Sequence, residues 1–348
     1  MSSQAFPLVD PVSSPARRPS APSFTPHASP HRHIRVALAG CGTVGGALVE
    51  LVHERATALA ARYDTTIELT SVLVRGGIRR RPAPLDPALV TTDLDEFLAA
   101  PADVVVEAIG GDGVASTIAE SVLRRGRRLV TANKLLLAQA GPALLRLARE
   151  YGTTLDFEAS VAGGVPVVRA IREQLAPGGI RTVRGIINGT TNYILDAMSA
   201  GRGYADALAD AQRLGYAEAD PTRDVSGADA ADKLRILGWL AFGVAPDAIA
   251  VHVRGVGPDL DDFVRDARER GSAVRLIAEV SAIDDRVRGV ISPQVIPVWS
   301  PFATVRGAGN LVEVETTRGD TFQWAGPGAG GNATASAILG DILRPASQ

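Results

Sequence analysis

Four short apolar runs alternate with longer segments of helical composition in the first half of the chain. The runs lack polar alternation, which is typical of strands buried on both faces in a parallel sheet covered by helices. The pattern therefore predicts an α/β fold with a doubly wound, Rossmann-type parallel sheet. The predicted strands are 34–40, 67–75, 103–109 and 128–131, and the predicted helices are 43–62, 115–125 and 135–151.

The pattern changes after Phe157. Glycine-rich turns there separate β-like runs whose regular spacing predicts a second, largely antiparallel sheet. Helical patterns at 205–214 and 228–242 would cover one face of it, which predicts a second domain of the α+β class. Few charges lie along 295–305 and 311–314, so we expect these segments to pair across a two-fold axis in a homodimer at least. The predicted strands are 180–187, 273–282, 289–298 and 310–316.

Composition narrows the class of protein. The 348 residues are 46% apolar, enough for the cores of two domains, and the net charge of −2 provides no global field for nucleic acid or an anionic membrane. The single cysteine, Cys41, cannot form an intramolecular disulfide, which favours the reducing cytoplasm. The longest near-apolar run, 236–245, is about half the length of a transmembrane helix. We expect a cytoplasmic protein with a small-molecule partner, and no nucleic-acid or membrane partner.

The first 33 residues differ from the rest of the chain. They are crowded with proline and serine, which predicts a disordered tail outside the fold. Arg17 and Arg18, with almost no acids around them, leave an organellar transit peptide open as the alternative.

A glycine motif with G-x-G-x-x-G spacing follows the first predicted strand and opens the first predicted helix. In that context Gly40 permits a tight turn, Gly42 lets the backbone approach a pyrophosphate, and Gly45 allows close packing of helix on strand. The helix N-terminus, at Thr43 and Val44, offers unpaired N–H groups to the anion. We therefore expect a dinucleotide site, with a glycine-rich turn that binds nothing as the alternative.

The second predicted strand ends in Arg75, and Arg79, Arg80 and Arg81 follow shortly after. A site restricted to NAD usually has an acid here for the ribose 2′-hydroxyl, whereas arginine favours the 2′-phosphate of NADP. We expect NADP as the cofactor without excluding NAD, and a solvated basic loop is the alternative reading of the arginines. Gly110, at the end of the third predicted strand, would border the same cofactor.

Acidic residues and one lysine are concentrated in the segment 215–233. Lys233 lies four residues after Asp229 on a predicted helix, so the two side chains can pair. The first turns of the helix and the apolar residues that follow disfavour a charged lysine, which would suit Lys233 to proton transfer. The alternatives are a surface ion pair for Lys233 and, for Asp229, a capping box with Ser226.

Two further acids, Glu218 and Asp224, lie in the loop before that helix. They are free to bind a cation such as a substrate ammonium group. A solvated loop is the alternative, and spacing alone does not distinguish the two.

The chain resembles homoserine dehydrogenase through six motifs, which follow the family's order and cover nearly everything from Ile34 to Ile342. No single motif has to carry the resemblance. The motifs are GCGTVG at 40–45, VTANK at 130–134, EASVAGGVPVV at 158–168, GIINGTTNYIL at 185–195, GYAEADPTRDVSGADAADKLRIL at 215–237 and GPGAGGNATASAILGDI at 326–342.

The resemblance implies a role for each candidate residue. Lys233 matches the family's proton-transfer lysine, Asp229 its helical partner, and Lys134 a second lysine near nicotinamide and substrate. For substrate binding it implies Glu218, Asp224, Gly189 and Thr190, and for the cofactor it adds Gly328. It also implies a monovalent cation such as sodium, with a structural glycine-rich turn as the alternative. The cation ligands would be Glu158 and the backbone carbonyls of Val161, Gly163 and Val165.

The resemblance implies interconversion of L-homoserine and L-aspartate 4-semialdehyde in threonine, methionine and isoleucine biosynthesis. The NAD(P)-binding domain would comprise 34–160 with 326–348, and 161–325 would bind substrate and form a homodimer or homotetramer. Because the chain ends soon after Ile342, we expect no C-terminal regulatory domain. One alternative is a similar dehydrogenase for another amino acid or semialdehyde. The other is a non-catalytic NADP sensor, which would not need the titratable residues at 215–233.

Overall fold

The computed structural model describes residues 31–76, 84–283 and 286–345. Its strands are β1 (Arg32–Ala39), β2 (Thr65–Leu73), β3 (Val90–Thr91), β4 (Val104–Glu107), β5 (Arg128–Thr131), β6 (Leu155–Asp156), β7 (Ile180–Ile186), β8 (Ala250–Val253), β9 (Ser272–Ile283), β10 (Arg286–Pro297), β11 (Gly309–Thr316) and β12 (Thr321–Pro327). Its α-helices are α1 (Thr43–Tyr63), α2 (Leu94–Ala99), α3 (Val114–Arg124), α4 (Lys134–Glu150), α5 (Gly189–Ser199), α6 (Tyr204–Arg213), α7 (Thr222–Val225), α8 (Ala228–Phe242), α9 (Asp261–Glu269), α10 (Pro301–Thr304) and α11 (Gly331–Leu343). Within these ranges no helix combines the length and apolarity needed to cross a bilayer.

The first sheet has the strand order β3-β2-β1-β4-β5-β6, and all of its pairings are parallel. Alternate residues of β1 belong to two different buried clusters. Val36 and Leu38 cluster with side chains of α1 and α11, whereas Ala37 and Ala39 cluster with those of α3 and α4. Helices therefore cover both faces, and the predicted doubly wound Rossmann-type sheet is confirmed.

The second sheet has the order β12-β11-β7-β9-β10-β8. Its pairings are antiparallel except that of β8 with β10. Side chains of α5, α8 and α9 pack against one face of β9, and Phe302 of α10 packs against the other. The predicted, largely antiparallel sheet is confirmed, and α8, which packs on it, has the predicted bounds. The other helix predicted to cover the sheet, α6, packs against α5 instead.

The edges of the second sheet differ from the prediction. Its edge strands, β8 and β12, are absent from the sequence-based prediction because they are short, mixed in polarity and exposed. They flank β10 and β11, but β8 pairs with β10 only along 288–291, so 292–297 pair with β9 alone. The contact across a two-fold axis predicted along 295–305 and 311–314 stays a prediction, although 311–314 is hydrogen-bonded on both sides by β7 and β12. At the other end of the chain, β1 begins at Arg32, two residues before the predicted start of the fold.

The start of α8 also differs from the predicted capping box. Its N-cap is Gly227, in the left-handed conformation with φ 82°, and no side chain caps the helix. The Asp229 carboxylate instead pairs with Lys134 and Lys233. The capping interpretation of Ser226 and Asp229 is wrong, because Lys134 of α4 and Lys233 of α8 itself bind the carboxylate.

Close glycine contacts and aromatic packing join the two sheets. A Cβ on Gly163, whose φ is 61°, would lie 2.6 Å from the carbonyl oxygen of Gly328, where the chain returns to the first sheet. The Trp239 ring of α8 stacks on Phe157 with centroids 5.9 Å apart and packs directly over Gly141 of α4. This packing brings the N-terminus of α4 beside that of α8.

Candidate active site

A cleft of about 2070 Å³ lies at the carboxyl ends of β1, β2 and β4. Open α/β sheets bind ligands at this end of their strands. Most of the predicted cofactor residues line the cleft, namely Gly40, Gly42, Thr43, Arg75 and Gly110.

The three motif glycines have the geometry of a nucleotide-binding turn. A Cβ on Gly40, whose φ is 96°, would lie 2.6 Å from the oxygen of Ala108, and one on Gly45 would overlap the Gly40 oxygen. At Gly42 no atom lies within 4 Å of the corresponding position. The first and third glycines therefore allow close packing, and the second leaves space that a phosphate can fill.

Other predicted cofactor residues lie behind the lining. Val44 packs against the buried cluster beneath α1, and Gly45 is itself buried. Gly328 is also buried, and a Cβ on it would overlap the side chain of Asn310. Its neighbour Pro327 lines the cleft instead.

The N-termini of α1, α3 and α11 meet at the cleft. Their N-cap residues, Gly42, Gly113 and Gly330, provide no side-chain cap, and none of these helices has an acidic residue in its first turn. Their first N–H groups are therefore without a side-chain partner, which favours an anionic ligand. The sequence analysis identified only the first of these termini. The glycine-rich segments at 110–113 and 328–331 are the signals for the other two.

Arg75 follows β2 and is exposed at the rim of the cleft. Its guanidinium makes no ion pair with another of the described residues. The end of β2 is the position from which an arginine reaches a 2′-phosphate. The neighbouring Arg79, Arg80 and Arg81 lie outside the described residues.

Asp229 is the centre of the second part of the site. Its carboxylate is 5% exposed; Lys233 Nζ binds Oδ2 at 2.7 Å, and Lys134 Nζ binds Oδ1. Burial acts to raise the pKa of Asp229, but attraction to Lys233 and Lys134 outweighs it and holds that pKa well below its usual range. Asp229 is therefore ionised at neutral pH and joins a lysine of α4 to a lysine of α8.

The segment after β7 supplies polar partners to two acids. The N-cap of α5, Asn188, donates from Nδ2 to Asp229 Oδ2 and to Asp224 Oδ1, each at 2.8 Å. Thr190 Oγ1 donates to the Tyr216 carbonyl at 2.5 Å and lies 3.2 Å from Asp224 Oδ2. Asn188 was not among the residues predicted from the sequence. Its position before a helix, in N-G-T-T, is the available signal.

Two predicted substrate residues lie at the margin of this cluster. Gly189 begins α5, and a Cβ on it would lie 2.8 Å from the oxygen of Ala308. Glu218 is exposed between α6 and α7, and among the described residues its carboxylate has no hydrogen-bond or ion-pair partner. The structure thus brings Asp224, Asp229 and the two lysines together and leaves Glu218 on the surface.

The predicted cation ligands lie where the chain crosses between the sheets. Glu158 is buried, and its two oxygens accept the N–H groups of Val168 at 2.8 Å and Arg169 at 3.0 Å. Burial raises the pKa of Glu158, and these backbone hydrogen bonds act against the shift. The Val165 carbonyl accepts the N–H of Val167 at 2.9 Å.

These oxygens fit a cation without depending on a cluster of side chains. Each oxygen of Glu158 and of the Val165 carbonyl retains a second lone pair, and hard cations prefer carboxylate and carbonyl oxygens. In the described part of the chain no group of three or more His, Cys, Asp or Glu side chains could hold a metal ion. A cation at Glu158 would therefore depend on backbone oxygens for most of its ligands.

Comparison with known proteins matches both parts of the chain. The family model for homoserine dehydrogenase matches residues 166–343, and that for the homoserine dehydrogenase NAD-binding domain matches 40–158. The chain is similar to homoserine dehydrogenase of Corynebacterium glutamicum, with 39% identity over 331 residues, which is 93% of this chain and 74% of that protein.

Solved structures give the same result. A homoserine dehydrogenase from Thiobacillus denitrificans superposes with a TM-score of 0.83 at 35% identity, covering 90% of this chain and 73% of that one. A hyperthermophilic archaeal homoserine dehydrogenase in complex with NADPH superposes with a TM-score of 0.75 at 26% identity, covering 90% of this chain and 97% of that one.

Proposed function

Because this chain belongs to the homoserine dehydrogenase family, we propose that the cluster around Asp229 is its active site. The protein interconverts L-homoserine and L-aspartate 4-semialdehyde with a nicotinamide cofactor, a step in threonine, methionine and isoleucine biosynthesis. The observation that carries the site assignment is that a single buried carboxylate binds both Lys134 and Lys233.

The charge balance of the cluster supports Lys233 as the proton-transfer residue. Two ammonium groups share the carboxylate of Asp229, so one of them can lose a proton and leave the other paired. Lys233 is 14% exposed and also donates to the Ile187 carbonyl at 3.0 Å, whereas Lys134 is 37% exposed. In the oxidation direction, neutral Lys233 takes the hydroxyl proton of homoserine, and in the reverse direction it returns that proton to the aldehyde oxygen. Lys134 stays charged and stabilises negative charge on the same oxygen.

Asp224 and Glu218 bind the α-ammonium group of the substrate in this proposal. Asp224 supports that role because Asn188 and Thr190 hold its carboxylate in one orientation. Glu218 adds a second negative charge from the surface. Gly189 and Thr190, at the N-terminus of α5, complete the substrate pocket.

The cleft of the first sheet would hold the cofactor. When bound, the nicotinamide supplies the hydride acceptor or donor. The turn from Gly40 to Gly45 holds the pyrophosphate on the N-terminus of α1, and Gly328 supports the rim from behind. Arg75 binds the 2′-phosphate, so NADP is the preferred cofactor and NAD the second. The NADPH complex of the archaeal relative supports a nicotinamide cofactor in this cleft.

A monovalent cation, sodium or another, would be held at the crossing between the sheets. Its ligands in this proposal are Glu158 and the carbonyls of Val161, Gly163 and Val165. Its location is at the boundary between the proposed NAD(P)-binding domain, 34–160 with 326–348, and the proposed substrate domain, 161–325. The packing of α11 against α1 supports that division.

We also propose that the protein forms a homodimer or homotetramer in the cytoplasm. Val298 and Trp299, in the turn after β10, are 65% and 82% exposed, and large exposed apolar side chains are typical of interfaces. Both residues lie within 295–305, one of the segments predicted from the sequence to form the interface. The single cysteine, half-buried Cys41, supports the cytoplasmic location.

The absorbance band of the reduced cofactor tests the function and the site together. Wild-type protein with homoserine should reduce NADP faster than NAD. Lys233→Arg keeps a positive charge beside Asp229 but cannot release its proton near neutral pH, so it should lose turnover while still binding NADP. Wild-type rates in Lys233→Arg would contradict the site, and a wild-type protein inactive with both cofactors would contradict the function.

A further inference from the structure

Asn188 lies between the two carboxylates of the proposed active site. We propose that it is a positioning residue, whose amide holds Asp224 in place for the substrate ammonium and Asp229 in place for the lysines. The side chain is buried, at 4% exposure, where the chain passes from β7 into α5. The inference rests on the roles proposed above for Asp224 and Asp229.

Hydrogen bonds on both sides of the amide determine its orientation. Oδ1 accepts the backbone N–H of Thr191 at 2.9 Å. A backbone N–H can only donate, so the amide atom that faces Thr191 is the oxygen. The NH₂ group therefore faces the acids, and its two hydrogens match two acceptors, Asp224 Oδ1 and Asp229 Oδ2, each at 2.8 Å.

The amide performs a task that a charged group could not. Two carboxylates that accept from the same nitrogen lie close enough to repel each other. A neutral amide between them donates to both without becoming their counter-ion. Among the described residues no other side chain hydrogen-bonds both acids. The charge of Asp224 thus stays available for the substrate, and that of Asp229 for Lys134 and Lys233.

The amide also keeps Asp229 oriented during proton transfer. Oδ2 of Asp229 accepts from Lys233 at 2.7 Å and from Asn188 at 2.8 Å, while Oδ1 binds Lys134. When Lys233 Nζ turns toward the substrate hydroxyl, the Asn188 amide remains on Oδ2. The carboxylate therefore does not rotate: Lys134 stays on Oδ1, and Oδ2 remains in place for the return of Lys233.

Two substitutions separate this role from simple capping of α5. Serine and aspartate are both good N-cap residues, so Asn188→Ser and Asn188→Asp keep an acceptor for the Thr191 N–H. Neither can donate to both acids, and Asn188→Asp adds a third negative charge. Thr191→Val is the matched control, because the Thr191 hydroxyl lies 3.0 Å from Asn188 Oδ1 but makes no hydrogen bond to either acid.

Steady-state kinetics with homoserine and NADP give the main result. In Asn188→Ser we expect kcat to fall by about 10- to 100-fold and KM for homoserine to rise, since two buried acceptors lose a donor. In Asn188→Asp the fall in kcat should be larger, because the variant adds a negative charge beside the two acids. KM for NADP should stay within about twofold of wild type in both variants, because the cleft of the first sheet is untouched. Thr191→Val should lower thermal stability with nearly normal kcat.

A coupling measurement distinguishes failure of this inference from failure of the proposed site. If Asn188 acts through Asp229, the losses of Asn188→Ser and Asp229→Asn should be far from additive in the double variant. Wild-type kcat and KM in both Asn188 variants, with Lys233→Arg inactive, would overturn the inference and leave the site intact. Loss of NADP binding in both Asn188 variants would also overturn it, because the residue would then be needed only for the fold.

Discussion

Lys134 and Lys233 bind the two different oxygens of one carboxylate, that of Asp229, although they come from helices that pack on different sheets. They are the only two lysines in the sequence, in which Lys and Arg together number 36. Arginine occupies the other basic positions, including the fully buried Arg275. Because arginine stays protonated, none of the arginines could take the place of Lys233 in proton transfer.

Removal of Lys233 should affect turnover more than substrate binding. We expect Lys233→Ala to lower kcat by on the order of 10²-fold or more with a much smaller change in KM. Glu218→Ala should chiefly raise KM for homoserine, because the ammonium loses a counter-charge, and both variants should still bind NADP. If Lys233→Ala keeps near-normal turnover from roughly pH 7 to 10, the proton is carried by Lys134 or by water.

Reversal of the charge at Arg75 should change the choice of cofactor. In Arg75→Glu the 2′-phosphate of NADP loses a cation and meets repulsion, whereas NAD lacks that group. We expect KM for NADP to rise far more than KM for NAD. Equal losses for the two cofactors would show that Arg75 is a solvated surface residue.

Two helix glycines should respond in opposite ways to the same substitution. A Cβ on Gly141 of α4 would lie 2.8 Å from Trp239, so Gly141→Ala should destabilise the contact between α4 and α8 by roughly 1–3 kcal/mol. Gly340 of α11 is exposed with no atom near the new Cβ, so Gly340→Ala should stabilise the protein by about 0.5–1 kcal/mol. Urea unfolding of the two variants measures both. An equal increase in the free energy of unfolding in both variants would mean that Trp239 moves aside without cost.

Sedimentation should detect an assembly larger than the 36.2 kDa chain. At micromolar concentration we expect a dimer or tetramer, and Trp299→Glu should shift the distribution toward the single chain, because it places a charge in an exposed apolar turn. A wild-type sample that contains only the single chain would refute the proposed association. An unchanged assembly in Trp299→Glu would place the interface elsewhere.

The ion pair of Arg35 with Asp103 should stabilise the first sheet in a pH-dependent way. Hydrogen bonds from the Arg35 guanidinium, at 2.7 and 3.1 Å, lower the pKa of Asp103. The folded state therefore binds the proton less readily than the unfolded state, so this stabilisation is present above about pH 4 and is lost as the pH falls below it. Because both side chains are more than 40% exposed, Asp103→Asn should cost at most about 1 kcal/mol at pH 7. If the stability lost in Asp103→Asn were the same at about pH 3 as at pH 7, the loss would come from packing and not from the ion pair.

The sequence by itself determined the parts of the protein that depend on local pattern. The apolar runs of β1, β4 and β5 and the helical periods of α1, α4 and α8 predict their elements to within about two residues, since a buried strand or helix needs its apolar positions at a set spacing. The close packing at Gly40 and Gly45 and the open space at Gly42 were predictable for a similar reason. Each follows from having no Cβ at a known position in a strand–turn–helix unit.

Only the tertiary structure decided which side chains meet. Asp229 could equally have capped α8 by its spacing from Ser226, and it pairs with Lys134 because α4 packs on α8 and brings a distant lysine to it. Asn188 carried no signal beyond that of an ordinary N-cap, because its two carboxylate partners come from separate elements. The edge strands β8 and β12 could not be predicted from the sequence either, since an exposed strand is recognisable mainly through the neighbour that it pairs with. Spacing along the chain determines which face a residue occupies, but contacts between distant segments depend on the packing free energy of the whole fold, which no local pattern contains.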